Sequence, residues 1–288
     1  MVRTLMFVAA SAAMLTISPT AFAQQQGQQQ GLCASLPNWF ALKNALAGSI
    51  TPANSSNGNG GLGFNMWGTL IANDGTVCAV AFSGRSYTTQ WLGSRVISAQ
   101  KANTANDFSL GHNSTPSGSL FPGGLALSTA NLFSAVQPGG SLFGLQHSNP
   151  VDTEVAYSNN GTNNNDGPAN AGSFGTANDP MVGLRVGGVN VFGGGLALYS
   201  GGVKVGAVGV SGDTSCTDHM VAWRVRNALG LDQFQGVGGV SGDSAHPDNI
   251  IYDITANPSG GTGISMGGFG HPTCINTANP SGLPKVRP

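Results

Sequence analysis

Short apolar runs, at either a two-residue or a helical period, alternate along this chain with long stretches of Gly, Asn and Ser. The densest local signals lie in Gly193–Asp232. Gly195–Ser200 reads as a strand. Gly201-Gly202 reads as a two-residue hairpin turn, since the central residues of such a turn need positive φ. Val203, Val205, Ala207, Val208 and Val210 make the return strand. Asp213, Thr214 and Ser215 then offer acceptors to the free N–H groups of a helix's first turn, and Ser215 with Asp218 approximates a capping box. Met220, Val221, Trp223, Val225, Ala228 and Leu229 recur at helical spacing until Gly230 ends the helix.

The same reading places a first helix over Cys33–Gly48, with Ser35 as N-cap and Pro37 in the first turn. Strands over Phe64–Ala72 and Thr76–Phe82 flank the turn Asn73-Asp74-Gly75. A second helix is predicted over Ser86–Leu110, with Trp91, Arg95, Val96, Ala99, Ala102 and Ala105 along one stripe whose alanines permit close approach. A third, short helix is predicted over Leu127–Val136, and further strands over Met181–Val191 and Asn249–Ile254. The hairpins imply antiparallel pairing and the helices are segregated from them. The expected class is therefore α+β, an antiparallel sheet flanked by helices with long Gly/Asn-rich loop insertions.

The ends carry an address. Arg3, the apolar stretch Leu5–Ile17 and Ala21-Phe22-Ala23 have the three parts of a secretory signal peptide cleaved after Ala23. Its apolar stretch is too short to span a membrane. The domain plan is a signal peptide over 1–23, a Gln-rich low-complexity tail over 24–32, a domain over 33–232 with an insertion at about 144–180, and a Gly-rich C-terminal extension over 233–288. The protein is expected in the periplasm or outside the cell. Only 8% of residues are charged and the net charge is −1, which supplies no basic patch for nucleic acid. Four cysteines in an exported chain predict two disulfides. Three pairings are possible. Cys216–Cys274 with Cys33–Cys78 is favoured, because the first would staple the C-terminal tail to the start of the Ser215–Leu229 helix. A Cys/His metal site competes with the disulfides, but no CxxC or HxxxH spacing supports it.

The order of a D-G hairpin, a helix with Ser94, Ala99, Lys101, Ala102, Thr104, Ala105 and Phe108, the strand GGLALY from Gly194, then VGAVGVSGDTSC and DHMVAWRVRNALG, resembles the GlcG/HbpS family of haem-binding proteins. The resemblance implies a profilin-like sheet and helix layer, noncovalent haem binding outside the cytoplasm, and homo-oligomerisation. The Asn/Gly insertion, the C-terminal extension and the four cysteines depart from that pattern.

A haem iron takes imidazole or thioether ligands. His219, in the first turn of the Ser215–Leu229 helix, is the preferred ligand, with Met220 beside it, because a helix N-terminus favours neutral imidazole. His271 joins His219 if Cys216 and Cys274 pair. His112 and His147 lie in loops among Phe121, Phe133, Phe143 and Leu145. Lys101 and Thr104 match family-like positions, and Lys101 with Arg95 could hold the propionates of haem. The expected partner is haem or a similar planar molecule. An oxidoreductase on the same scaffold and a cofactor-free interaction module are the alternatives. Other signals are weak. Gly263–Gly267 fits G-x-S-x-G by chance in a chain with 45 glycines. Thr162–Gly167 lacks the first and last acidic ligands of a calcium loop. A phosphate-binding loop and a covalent haem motif are absent from the sequence.

Overall fold

The computed structural model describes residues 31–51, 58–112, 114–157, 171–261 and 263–288. The expected signal peptide over 1–23 and nearly all of the Gln-rich stretch lie outside them, as does Thr162–Gly167. Among the described residues, no helix is long and apolar enough to cross a membrane.

The elements that position the site are α1 (Trp39–Ser49), β1 (Trp67–Ala72), β2 (Val77–Phe82), α2 (Ser94–Asp107), β3 (Leu125–Ala126), α3 (Leu132–Ala135), α4 (Thr153–Tyr157), β4 (Gly195–Ser200), β5 (Val203–Ser211), α5 (Ser215–Ala228), β6 (Gly238–Gly239), β7 (Ile254–Thr255) and β8 (Ile264–Ser265). Four strands form one antiparallel sheet in the order β2-β1-β5-β4. The two hairpins lie side by side, joined through β1 and β5, with Leu70 opposite Val208. Gly201 and Gly202 both have positive φ, as a tight two-residue turn requires.

Alternation along β1 builds two cores. Leu70 and Ala72 join Leu42 and Leu46 of α1 and Met220, Val221 and Trp223 of α5. Trp67 and Ile71 point the other way, toward Val96, Ala99, Ala102 and Ala105 of α2. Both sheet faces are therefore covered, which is why β1 is buried at every position. Close approach of α2 depends on Gly209 of β5: a Cβ there would lie 1.9 Å from the Ser98 carbonyl oxygen and 2.5 Å from the Ala102 nitrogen. Cys33–Cys78 ties the start of the chain to β2, and Cys216–Cys274 ties the C-terminal segment to α5.

Several boundaries differ from the sequence expectation. The first helix starts at Trp39, because the Asn38 side chain accepts the Ala41 N–H and caps it there. The second starts at Ser94. Tyr87–Thr89 forms a separate 3₁₀ turn, and Trp91 lies before the helix, half-exposed and edge-on to Phe64 at 5.3 Å. The third is a 3₁₀ turn over Thr129–Asn131 followed by α3, with Ser128 and Asn131 bonded to each other. Met181–Val191 is turn and loop rather than strand: Gly183, Gly187 and Gly188 hold positive φ, and only isolated bridges, Arg185 to Thr76 and Gly187 to Val151, join it to its neighbours. Of Asn249–Ile254, only Ile254 enters a strand. Thr214, not Ser215, caps α5, and Asp218 turns back to accept the N–H groups of Gly212 and Asp213.

The segment after Asp232 is part of the packing. Asp248 receives both terminal nitrogens of Arg226 of α5, at 2.6 and 2.9 Å, with both side chains fully buried. Trp223 donates its indole N–H to the Pro284 carbonyl at 2.8 Å.

Candidate functional site

The first turn of α5 is held from three sides. Asp213 accepts the N–H groups of Leu62 and Phe64. Asp218 pairs with Lys101 of α2 at 2.6 Å, both groups buried. The backbone at Gly193 crosses so close that a Cβ would lie 2.2 Å from the Ser215 carbonyl oxygen and 3.0 Å from the His219 Cβ. Only glycine permits that crossing, and it brings Phe192 over the Lys101 ammonium at 5.2 Å. Burial raises the Asp218 carboxyl to about 6, against the opposing pull of Lys101, and lowers the Lys101 ammonium.

His219 is fully buried on this turn. Its Nε2 lies 3.1 Å from Asn249 Oδ1. The identity of that oxygen is fixed by its neighbours: it accepts the Ile250 N–H at 2.9 Å, while Asn249 Nδ2 donates to the Pro280 carbonyl. Nε2 also receives the Ile250 N–H at 3.2 Å, so it meets a donor and an acceptor together and either ring tautomer finds a partner there. Nδ1 has no hydrogen-bond partner among the described residues.

His271 comes from the C-terminal segment. Its N–H is bonded to the Ile251 carbonyl, and the preceding Gly270 carbonyl accepts from Ser134 of α3. Its Nδ1 donates to the Pro272 carbonyl at 2.7 Å, which places the lone pair on Nε2, again unpartnered. Phe133 lies 5.2 Å away, ring to ring. The disulfide supplies the floor: Cys216 Sγ is 4.0 Å from His271 Nδ1. Ala130, Ile250 and Tyr252 pack around it, and the buried Tyr252 hydroxyl is a third polar atom here with no partner among the described residues. Burial lowers both histidines to about 4, so both are neutral near pH 7.

The other sequence candidates are spread apart. Met220 is buried in the sheet-side core. Thr104 donates to the Gln100 carbonyl and accepts the Asn190 N–H. Arg95 is buried against Asp179, with its Nε 2.8 Å from Oδ2, and stacks on Phe174. His112 lies by the β4–β5 turn, where its N–H meets the Gly202 carbonyl, and His147 lies in a 3₁₀ turn; both are exposed. Lys101 and Arg95 thus already hold carboxylates. Asn249, Tyr252 and Phe192 carried no sequence signal, because only tertiary contacts bring them to the histidines. Ser265 of the G-x-S-x-G run bonds to Asp253. A separate open groove of about 550 Å³ is lined by Phe121, Phe234, Pro247 and Arg287.

No family model matches this chain, and no curated protein matches it. Among solved structures, the Klebsiella pneumoniae protein ORFY, of family DUF336, is 21% identical; the match covers 78% of this chain and 98% of that one, with a TM-score of 0.37. The PduOC:heme complex is 19% identical over 67% of this chain and 91% of that one, with a TM-score of 0.38. At these TM-scores neither likeness bears on what this chain binds.

Proposed function

We propose that this chain is an exported haem-binding protein that holds haem noncovalently, for sensing, storage or handling. The observation that carries the reading is the pair of buried neutral imidazoles, each with one ring nitrogen, His219 Nδ1 and His271 Nε2, that has no partner among the described residues. A buried polar atom without a partner is costly, and an iron ligand bond would relieve that cost. The donor set fits an axial imidazole. His271 fits better than His219: its ligating nitrogen is the outer one, and its Nδ1–H is anchored on a backbone carbonyl, the arrangement common to ligating histidines. His219 is the second ligand or a proton acceptor behind it. Phe133 beside the His271 ring and the partly exposed Phe192 over Lys101 would offer apolar surface to a porphyrin. Lys101 reaches a propionate only by sharing its ammonium with Asp218. Haem held by these residues would supply an iron centre for redox chemistry. Homo-oligomerisation belongs to the same proposal, supported by the exposed Phe64–Trp91 pair beside exposed Leu62 and Leu92.

Titration with haemin followed in the Soret region tests it. The expected result is saturable one-to-one binding that His271→Ala weakens by about tenfold or more. A wild-type chain that gives no Soret shift at micromolar concentration overturns haem binding. An unchanged titration for His271→Ala removes the ligand assignment.

A further inference from the structure

We propose that Cys216, Cys274 and His271 form a Zn²⁺ site when the Cys216–Cys274 bond is reduced. Their ligand atoms lie within 4.8 Å of one another. They come from two rigid places: Cys216 is the second residue of α5, while His271 and Cys274 sit three apart on a turn closed by Thr277, which accepts the Cys274 N–H and donates to its carbonyl. Tetrahedral zinc, with bonds of about 2.3 Å to sulfur and about 2.0 Å to nitrogen, spaces its ligand atoms about 3.3–3.8 Å apart. Cys216 Sγ and His271 Nδ1 are already 4.0 Å apart. The two sulfurs need only separate from bonding distance by about 1.8 Å, shared between two side chains.

Zinc requires thiolates, and the site favours them. Cys274 Sγ accepts the Cys216 N–H at 3.2 Å and lies 3.6 Å from the Ser215 hydroxyl, both in the first turn of α5, where the helix dipole stabilises negative charge. Cys274 is half-buried, which gives a reductant and a metal a way in. Three protein ligands leave a fourth position for water.

The chemistry balances with a dithiol as reductant. Its two S–H groups become one S–S bond, the Cys216–Cys274 bond breaks, and each cysteine sulfur takes one proton. Zinc then displaces both thiol protons. The proton on His271 Nδ1, now bonded to Pro272, moves to Nε2 as Nδ1 takes the metal. The redox state of the disulfide thus selects which nitrogen of His271 carries the proton: Nδ1 when oxidised, Nε2 when reduced and metal-loaded.

The test uses the full chain and metal alone, with no haem. Oxidised and phosphine-reduced samples of the wild type and of a Cys33→Ser/Cys78→Ser chain are equilibrated with Zn²⁺, desalted without oxygen and assayed for retained metal. Co²⁺ serves as a spectroscopic substitute, and far-ultraviolet circular dichroism monitors the fold. One zinc per reduced chain, none per oxidised chain, thiolate-to-cobalt charge-transfer bands, and affinity lowered about tenfold or more in His271→Asn are expected. Reduced, folded chains that retain no zinc overturn the site. So does equal retention by oxidised chains, or by His271→Asn, whose own folding does not need the metal because its disulfide is intact before reduction. If reduction unfolds the wild type and the Cys33→Ser/Cys78→Ser chain alike, with or without Zn²⁺, the site is also overturned.

Discussion

Acidification probes the histidine pair directly. His219 and His271 are held near 4 in the folded chain, against an ordinary value of 6.5, mainly by burial. Both bind protons more tightly in the unfolded chain. Between pH 6.5 and 4 the unfolded state carries the extra protons, so stability from these groups is fully present above 6.5 and is lost as pH falls toward 4. A tenfold change in proton affinity is about 1.4 kcal/mol, so each histidine accounts for about 3 kcal/mol. Asp218 acts the other way. Its carboxyl is raised from 3.8 to about 6, so it favours the folded state as pH falls through that window, by about 3 kcal/mol. Moving from pH 7 to pH 4 should therefore remove about 3 kcal/mol net from these three groups. Urea unfolding followed by tryptophan fluorescence, with disulfides intact, measures it. The slopes of the wild type and His271→Gln should differ by about 1.4 kcal/mol per pH unit between pH 4.5 and 6. Equal slopes would show that His271 titrates normally and is not the desolvated neutral base described above.

Four further outcomes follow from single contacts. Gly209→Ala should destabilise the fold by about 3 kcal/mol or more, seen in the urea midpoint, because its Cβ would strike the α2 backbone at Ser98. Lys101→Met leaves the Asp218 carboxylate buried without its cation and should cost about 3–5 kcal/mol in the same assay. Removing Cys33–Cys78 by serine substitution frees a 45-residue loop and should cost about 4 kcal/mol by chain entropy, read as a lower thermal midpoint. Asn249→Ala removes the Oδ1 that meets both His219 Nε2 and the Ile250 N–H, leaving only the 3.2 Å contact between those two. It should cost about 1–3 kcal/mol and broaden the His219 ring signals in nuclear magnetic resonance.

Local chemistry along the chain determined much of this molecule. Gly201-Gly202 suits a tight hairpin from its local chemistry, since both residues take without strain the positive φ that such a turn needs. The helical spacing from Met220 to Leu229, closed by Gly230, gave α5 to within a residue. The small residues of α2 signalled a close approach, and it falls on Gly209. The cysteine pairing favoured from the sequence is the one present. Where propensity is weak, the signal fails. Met181–Val191 has a strand's composition, but its glycines turn the chain before a ladder can form. Trp91 fits a helical stripe, but the helix begins after it.

Tertiary structure alone decided the site. Sequence spacing placed His219 and His271 together only if the second disulfide formed, and it said nothing of which ring nitrogen would be free. For His271 the Pro272 carbonyl makes that choice, while Asn249 Oδ1, 30 residues beyond His219, holds the His219 ring in place. Lys101 and Arg95 read as loose cations in a chain with few charges, yet both are buried against carboxylates more than 80 residues away. The physical reason is common to all of these. Turns and helices are set by neighbours along the chain, whereas the protonation of a buried ring and the partner of a buried charge depend on which distant segments exclude water from it.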